Sequence, residues 1–231
     1  MNIKNFKLKK AYTLSEILIG VTLGIIVSEM AVRMLGNIIN TDEYEKNMVT
    51  MQSDAMHVAE MLTSDLKKAG LFLNDNTNNQ PFDWTRTSDN PGSDDSIAIT
   101  YQNINSEYNC SSFIEMPNIN NHYYVADGDL YCNNVVLLQN IESFQLLYGI
   151  DLNGDGVVNR YLNATQAEPI SLDTNYRVVD VKFDITVSSR REFTDDYDKT
   201  IFTPTEGEQT YSDGKIYRTM SRSTVLKNML Q

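Results

Sequence analysis

Histidine, cysteine and tryptophan are scarce in this sequence, which has two His, two Cys and one Trp among its 231 residues. The cysteines form no Cys-x-x-Cys pair, and His57 and His122 are far apart along the chain. Structural zinc sites take Cys and His ligands at characteristic spacings, so we expect none here. No nucleophile motif accompanies either histidine, and Gly154-Asp155-Gly156 lacks the Gly-Lys-Ser/Thr ending of a phosphate loop. The sequence therefore predicts a protein that is not an enzyme.

Basic residues are also few. The sequence has 19 Lys and Arg and 31 Asp and Glu, so its net charge is −12. Lys4, Lys7, Lys9 and Lys10 all lie within the first segment of the chain, which contains no acid. Binding to nucleic-acid phosphates depends mainly on Lys and Arg. We therefore expect no specific nucleic-acid partner for the acidic remainder of the chain.

Proline is absent from residues 14–69, which is typical of a long helix. Residues 17–27 are almost wholly apolar, and a charged pair, Glu29 and Arg33, interrupts the apolar sequence soon afterwards. Two opposite charges at positions i and i+4 lie on the same face of a helix, so these two side chains can pair. The first part of the predicted helix is thus suited to an apolar environment.

The second part of the same stretch is amphipathic. Apolar residues recur there at helical spacing, at Met48, Met51, Ala55, Val58, Ala59, Leu62, Leu66 and Ala69. Gly70 follows and is a plausible end of the helix. The pattern predicts that this half of the helix packs on a globular domain.

Short alternating and apolar segments in the rest of the chain predict β-strands. Asp127-Gly128 is a typical hairpin turn. The predicted strands are residues 96–101, 122–126, 129–132, 135–138, 141–148, 177–187 and 216–226, with polar loops at 74–95, 103–121 and 193–214. In the clearest strand, 177–187, apolar residues alternate with polar ones, which predicts a sheet with one face in solvent. The expected fold class is α+β, with an antiparallel sheet packed on the C-terminal half of the long helix.

The N-terminal segment combines a basic leader that ends at Ala11, an aromatic residue at Tyr12, and an apolar run interrupted at once by Glu16. A carboxylate inside an apolar segment suggests a functional site. An ordinary secretory signal has its cleavage site after the apolar region, and no such site follows here. The arrangement resembles the N-terminus of type IV prepilins, with their Thr-Leu-x-Glu motif. The alternative is an uncleaved signal anchor.

The prepilin resemblance implies cleavage between Ala11 and Tyr12 by a prepilin peptidase, followed by N-methylation of Tyr12. It also implies that Glu16 neutralises the methylated amine of Tyr12, in its own chain or in a neighbour. The expected organisation is a leader at 1–11, a membrane and filament-core helix at 12–35, the amphipathic half of that helix at 36–70, and a β head domain at 71–231.

Several later stretches are similar to PilW-type minor pilins, which are related to the J-type pseudopilins of type II secretion. These stretches are residues 51–70, 124–132, 141–156, 177–190 and 218–230. The resemblance implies a low-abundance subunit of a type IV pilus that helps start assembly and lies near the filament tip. The implied partners are other minor pilins, the major pilin, the prepilin peptidase, the assembly platform and the bacterial inner membrane, with the head outside the cytoplasm.

Two alternatives remain at this point. One is a pseudopilin of a type II secretion or DNA-uptake system. The other is a membrane-anchored calcium-binding or adhesive module. Cys110 and Cys132 are expected to form a disulfide if the head lies outside the cytoplasm, and to be two free thiols otherwise.

The calcium alternative depends on one acidic loop. Asp151, Asn153, Asp155, Val157 and Asn159 occupy ligand positions of an EF-hand-like loop, in which Val157 would contribute its carbonyl oxygen. The glutamate expected at the twelfth position is replaced by Leu162, and Asp173 or Asp180 would have to supply the missing ligand. The other interpretation is an Asn-Gly/Asp-Gly turn that needs no metal. We expect no required cofactor, with Ca²⁺ as the candidate ion.

Overall fold

The fold is described from a computed structural model that covers residues 12–73, 80–90, 92–104, 109–110, 116–171, 176–193 and 198–230. The predicted leader, including Ala11, lies outside the described residues. Within them, the helices are α1 (Leu14–Lys68) and α2 (Ala164–Ser171). The strands are β1 (Ile97–Gln102), β2 (Asn118–Ala126), β3 (Asp129–Cys132), β4 (Val135–Gln139), β5 (Ile141–Asp151), β6 (Arg160–Leu162), β7 (Arg177–Ser188), β8 (Lys199–Thr203), β9 (Gly207–Tyr211) and β10 (Tyr217–Val225).

Helix α1 is continuous over 55 residues, including the segment around Gly36 and Asn37 where helix propensity is weak. It ends just before Gly70, which has a φ of +73° and donates its N–H to Thr100 O at 3.1 Å. Contacts divide the chain into two units, the first ending at Lys46 and the second beginning at Asn47. The first unit consists, in its described part, of helix preceded by Tyr12 and Thr13.

The second unit contains two four-stranded antiparallel sheets and one two-stranded sheet. The strand orders are β1-β2-β3-β4 and β10-β7-β5-β6, with β8 paired to β9. Asp127 and Gly128 join β2 to β3 with φ values of +51° and +76°, as the Asp-Gly hairpin prediction requires. The long helix followed by antiparallel sheets confirms the predicted α+β class.

The core of this unit forms where the apolar stripe of α1 meets the sheets. Six stripe residues are buried, namely Ala55, Val58, Ala59, Leu62, Leu66 and Ala69. They belong to one cluster with large side chains from β5 and β7, among them Phe144, Tyr148 and Phe183. Met51 packs only partly against this cluster. The helical spacing thus predicted most of the face of α1 that the head domain covers.

The expectation that one face of β7 lies in solvent is wrong. Asp180, Asp184 and Thr186 are at most 2% exposed. Asp180 accepts hydrogen bonds from the hydroxyls of Tyr161 and Ser223, while Asp184 accepts one from the N–H of Thr205 at 2.8 Å. Groups from distant parts of the chain therefore cover these polar side chains and bond to them, although Asp180 Oδ1 has no hydrogen-bond partner among the described residues.

Two predicted loops contain strands. Strand β2 begins at Asn118, inside the stretch 103–121, because Asn118 to Asn121 pair with Gln102 to Ile99 of β1. The stretch 193–214 contains the hairpin of β8 and β9, in which Lys199 is opposite Tyr211. Both segments are polar, so their strand character comes from pairing and was not visible in their hydrophobicity.

Candidate functional site

The start of α1 is held by a reciprocal pair of contacts between Thr13 and Glu16. The Glu16 carboxylate accepts the Thr13 N–H at 2.8 Å and the Thr13 hydroxyl at 2.9 Å. In return the Glu16 N–H donates to the Thr13 hydroxyl at 3.3 Å. This is a capping box, with Thr13 as the N-cap and Glu16 three residues later. Thr-x-x-Glu is itself a capping signal, so Glu16 has a local role beside the assembly role that the prepilin resemblance implies.

The apolar side chains of the first unit have little protein around them. Large residues from Leu14 to Ile39 are 48–84% exposed, and Tyr12 is 82% exposed. Helix α1 is long and apolar enough, in its first part, to cross a membrane. Its hydroxyls are satisfied within the helix, since Thr22 donates to Ile19 O at 2.9 Å and Ser28 donates to Gly24 O at 2.8 Å. This surface is therefore suited to lipid or to other apolar helices.

The charged interruption of the apolar segment is an ion pair. Arg33 donates to the Glu29 carboxylate at 2.6 Å, one helical turn away, as the spacing predicted. A paired carboxylate costs less in an apolar environment than an isolated one. Glu16 and Glu29 thus both have a partner within the helix, although only Glu29 is paired with a cation.

The cysteines are joined as predicted. Cys110 and Cys132 form a disulfide with a Cα–Cα distance of 5.7 Å, across 22 positions of sequence. Cys132 is the last residue of β3 and is fully buried, while Cys110 packs against the edge of the core. The bond fastens the loop before β2 to the first sheet.

The acidic loop after β5 is organised around Asp151, which is 2% exposed. Its carboxylate accepts the N–H groups of Asn153 at 3.1 Å, Gly154 at 2.8 Å and Gly156 at 2.8 Å. Desolvation raises the pKa of Asp151, but these backbone N–H groups outweigh it and hold the pKa below its usual value. The carboxylate is therefore anionic near neutral pH and serves the backbone of its own loop.

Two of the remaining candidate calcium ligands also have partners inside the loop. Asp155 accepts the N–H of Val157 at 2.8 Å, and Asn159 accepts the N–H of Leu152 at 2.6 Å. Among the described residues, no group of three or more His, Cys, Asp or Glu could hold a metal ion. Asp173 lies outside those residues. Calcium binding by this loop stays a prediction.

The histidines do not support catalysis in this geometry. His57 is exposed on α1, and His122 stacks on Tyr124 with ring centroids 4.8 Å apart. Burial lowers the pKa of His122, so its ring is neutral near pH 7. His57 thus lies at the surface, and His122 packs against an aromatic ring.

Sequence reasoning missed a buried carboxylate on α1. Asp65 is 6% exposed and accepts hydrogen bonds from the side chains of Tyr101, Asn121 and Tyr123. The local sequence does not indicate that Asp65 is buried, because its hydrogen-bond partners follow 36 to 58 residues later in the chain. Asp65 ties the end of the helix to β1 and β2.

A second pair of carboxylates was also missed, and it covers part of an edge of β5. Asp94 accepts the N–H of Phe144 at 2.7 Å, and Asp95 accepts the N–H of Leu146 at 2.8 Å. Asp95 also donates its own N–H to Phe144 O at 2.8 Å. Burial raises the pKa of Asp95 to about 6, although these N–H groups favour its charged form.

The comparisons with known proteins agree with this architecture. The family model described as Type IV Pilus-assembly protein W, or PilW, matches residues 100–228. The fold is similar to that of the type IV-like pilin TTHA1219 from Thermus thermophilus, with a TM-score of 0.51 and 14% sequence identity. That match covers 78% of this chain and 98% of the other. No curated protein matches the sequence.

At this level of identity the structural match establishes a shared fold, and the family model identifies the family. The matched segment runs from within β1 to residue 228, beyond the end of β10, and includes more than half of the 231 residues. The N-terminal apolar helix agrees with a structural subunit related to pili. The chain belongs to the PilW family of type IV pilus-assembly proteins and has the fold of a type IV pilin.

Proposed function

We propose that this protein is a minor subunit of a type IV pilus that helps start filament assembly near the tip, together with other minor pilins. Prepilin peptidase removes residues 1–11, and N-methylation follows at Tyr12. Residues 12–35 then serve first as a membrane anchor and later as a filament-core helix. Residues 36–70 connect this helix to the head at 71–231, outside the cytoplasm. The major pilin and the inner-membrane assembly platform are the remaining partners.

The observation that supports this proposal most is the exposed apolar surface of α1 between Leu14 and Ile39. Apolar surface gains about 25 cal/mol per Å² when it leaves water. A single copy cannot cover this surface within its own first unit, whereas lipid or neighbouring helices can. A helical filament repeats one such contact from subunit to subunit.

The contact between Thr13 and Glu16 suggests how the N-terminus takes part. Cleavage before Tyr12 creates a positive amine one residue ahead of Thr13, whose N–H already bonds to Glu16. An anionic side chain near the first turn of a helix also interacts favourably with the helix dipole. Glu16 can therefore keep the helix capped and still offer its second carboxylate oxygen to an amine.

Two substitutions at Glu16 separate the role of its negative charge in assembly from its role in capping the helix. Glu16→Gln keeps an oxygen for the Thr13 N–H, because Gln also functions in a capping box. Glu16→Ala removes both the charge and the cap. If charge pairing drives assembly, both variants should enter sheared filaments at least tenfold less than the parent chain. Wild-type levels of Glu16→Gln in filaments would contradict the role of the charge.

The matched control is Asp42→Asn, which removes an exposed carboxylate from the same helix. Asp42 pairs with Lys46 at 2.6 Å and lies beyond the apolar segment. Its loss should leave incorporation unchanged. Mass spectrometry of the mature chain should show a methylated Tyr12 as the first residue. A mature chain that begins at Met1 would contradict processing as a prepilin.

A deletion strain separates the pilus from the pseudopilus. Loss of surface pili with normal enzyme secretion is the expected result. Loss of secretion with normal pili would assign the subunit to a type II secretion system instead.

A further inference from the structure

In the part of the chain that the structure describes, one long side of strand β10 has no hydrogen-bonded partner strand. It spans nine residues, pairs with β7 on its other side, and is the last strand in the order β10-β7-β5-β6. Its register with β7 runs from Tyr217 opposite Ser188 to Val225 opposite Asp180 without a bulge. A regular strand of this length at the end of a sheet is a template for a further strand.

The register identifies which backbone groups face outward. Leu226 donates its N–H to Val179 O at 2.8 Å, and Ser189 donates its N–H to Ile216 O at 2.8 Å. Hydrogen-bonded positions alternate along an antiparallel pair, so the even-numbered residues of β10 bond to β7. The N–H and C=O groups of Thr219, Ser221, Ser223 and Val225 therefore point to the open side. Among the described residues, no backbone group bonds to them there.

The other sheet edges are covered or short. Residues before β1 bond along its outer side, where Asp83 donates to Ala98 O at 2.9 Å and Thr100 donates to Pro81 O at 2.9 Å. Asp94 and Asp95 occupy the open half of β5, as described above. Strand β6 has three residues, and β4 has five with a register shift in its pairing. Only β10 combines length, regularity and open backbone groups in the part of the chain that the structure describes.

Three basic side chains, those of Lys199, Arg218 and Arg222, lie on or beside β10, whereas the nearby Asp180 and Asp184 of β7 are buried. Arg218 donates to Tyr217 O at 3.3 Å and contacts Met48 Sδ at 3.1 Å, both weak partners for a guanidinium. No carboxylate in the described structure pairs with it. Burial and the charge of Arg218 lower the pKa of Lys199 on β8, while Arg222 lies 3.8 Å from Glu60. A cavity of about 120 Å³ lies between α1 and β10, beside Arg218.

We propose that the open side of β10 binds an extended, acidic segment of a neighbouring pilin subunit, which adds to the sheet as a further strand. Backbone hydrogen bonds to Thr219, Ser221, Ser223 and Val225 supply the register, and a carboxylate of the partner pairs with Arg218. A second copy of this chain is less suitable, because antiparallel pairing of two β10 strands brings four arginines to one interface. The proposal rests on the pilin function above, because it takes its partner from the same assembly.

Photo-crosslinking in piliated cells tests the contact with the full-length chain. The probe, p-benzoylphenylalanine, replaces Val225, which is 50% exposed at the end of the open side. Replacement of Glu208, an exposed residue of β9, is the control. The expected result is an adduct from position 225, and none from 208, with an acidic segment of one other pilin. Mass spectrometry of the linked peptide identifies that segment.

Two substitutions examine the mode of binding. Ser221→Pro removes the outward-facing N–H of β10 but no hydrogen bond to β7, because the N–H of Ser221 points away from β7. Proline is tolerated at such positions of edge strands. Ser221→Ala keeps that N–H and is the matched control. The adduct should fall at least tenfold with Ser221→Pro and remain with Ser221→Ala. Arg218→Glu should also reduce the yield of the adduct at least tenfold, because it places a second carboxylate beside that of the partner. If Ser221→Pro does not fold, the result with Arg218→Glu tests the proposal.

Three results would overturn the proposal. They are an adduct between two copies of this chain, an adduct equally strong with Ser221→Pro and Arg218→Glu, or no adduct although the chain is present in sheared filaments. That last result leaves the pilin function intact. Absence of the unsubstituted chain from filaments would instead remove the pilin function, and with it the partner proposed here.

Discussion

The hydroxyl of Tyr123 donates a hydrogen bond to the carboxylate of Asp65 across 2.7 Å. This bond joins β2 to the end of α1 inside the head. The side chains of Asn121, at 2.7 Å, and Tyr101, at 3.1 Å, donate to the same carboxylate. Lys68, whose ammonium lies 5.3 Å from the Tyr101 ring centroid, adds positive charge nearby. Three donors on one buried carboxylate compensate much of the cost of taking it from water.

Removal of the Asp65 carboxylate should therefore destabilise the head strongly. In Asp65→Ala, three buried donors lose their acceptor, and we expect the free energy of unfolding to fall by about 3 kcal/mol or more. Urea unfolding of the full-length chain in detergent, followed by the fluorescence of the single Trp84, measures this change. Asp54→Ala is the control, since Asp54 is exposed on the same helix and should change stability by no more than about 0.5 kcal/mol. Equal effects of the two substitutions would contradict the role of Asp65.

Asp65 also illustrates what the sequence could and could not predict. The apolar stripe of α1 and the Asp127-Gly128 turn are local patterns, and the structure contains both. The partners of Asp65 are 36 to 58 residues away, so no local period could indicate that this one helical acid is buried. The capping role of Glu16 is also a local pattern, because Thr13 precedes it by three residues, whereas its assembly role is implied only by the resemblance to prepilins.

The burial of β7 was unpredictable for the same reason. Alternating polar residues normally indicate a solvent-exposed face. Here Thr205 from the β8–β9 hairpin covers Asp184, and Tyr161 from β6 covers Asp180. Thr205 lies in a turn between two strands and Tyr161 in a short strand, and only tertiary packing places either residue beside β7. Open edges such as that of β10 are likewise a property of strand order, which a single sequence does not specify.

Asp95 should make the stability of the head depend on pH between about 4 and 7. Burial raises the pKa of Asp95 to about 6 in the folded protein, with Asp89 and Glu206 adding like charge. The folded state therefore binds more protons than the unfolded state between these pH values. The stabilising contribution is complete below about pH 4 and is lost as the pH rises through 6.

The test is the difference in unfolding free energy between the parent chain and Asp95→Asn, measured from pH 4 to 7. This difference should change by up to about 3 kcal/mol, with the parent relatively more stable at the acidic end. Comparison with Asp89→Asn accounts for the neighbouring charge. A difference that stays constant over this range would show that Asp95 does not titrate there.

Asp151 should stabilise its loop without any metal. Its carboxylate holds three backbone N–H groups, so Asp151→Ala should lower the melting temperature even in the presence of a chelator. Asp155→Ala is the comparison, because Asp155 accepts one backbone N–H and one side-chain N–H. We expect its effect to be smaller than that of Asp151→Ala.

The same melting curves, recorded with calcium added, examine the calcium prediction. If the loop binds calcium, the parent chain should melt at a higher temperature with calcium than with chelator, and both variants should lose that increase. If Asp151→Ala melts like the parent in chelator and differs only in calcium, the carboxylate serves a metal and not the loop backbone.

The disulfide between Cys110 and Cys132 should contribute to stability chiefly by restricting the unfolded chain. It closes a loop across 22 positions of sequence, for which the chain-entropy estimate is about 3 kcal/mol.

The double substitution of Cys110 and Cys132 to Ser should lower the free energy of unfolding by about this amount, and reduction of the parent chain should lower it similarly. Reduction of the double variant, which has no bond to break, should change nothing. Mobility on non-reducing gels checks that the bond is present in the purified protein. Equal stability of the oxidised parent and the double variant would mean that the hydrogen bond from the Cys110 N–H to Asn121 already fixes the loop.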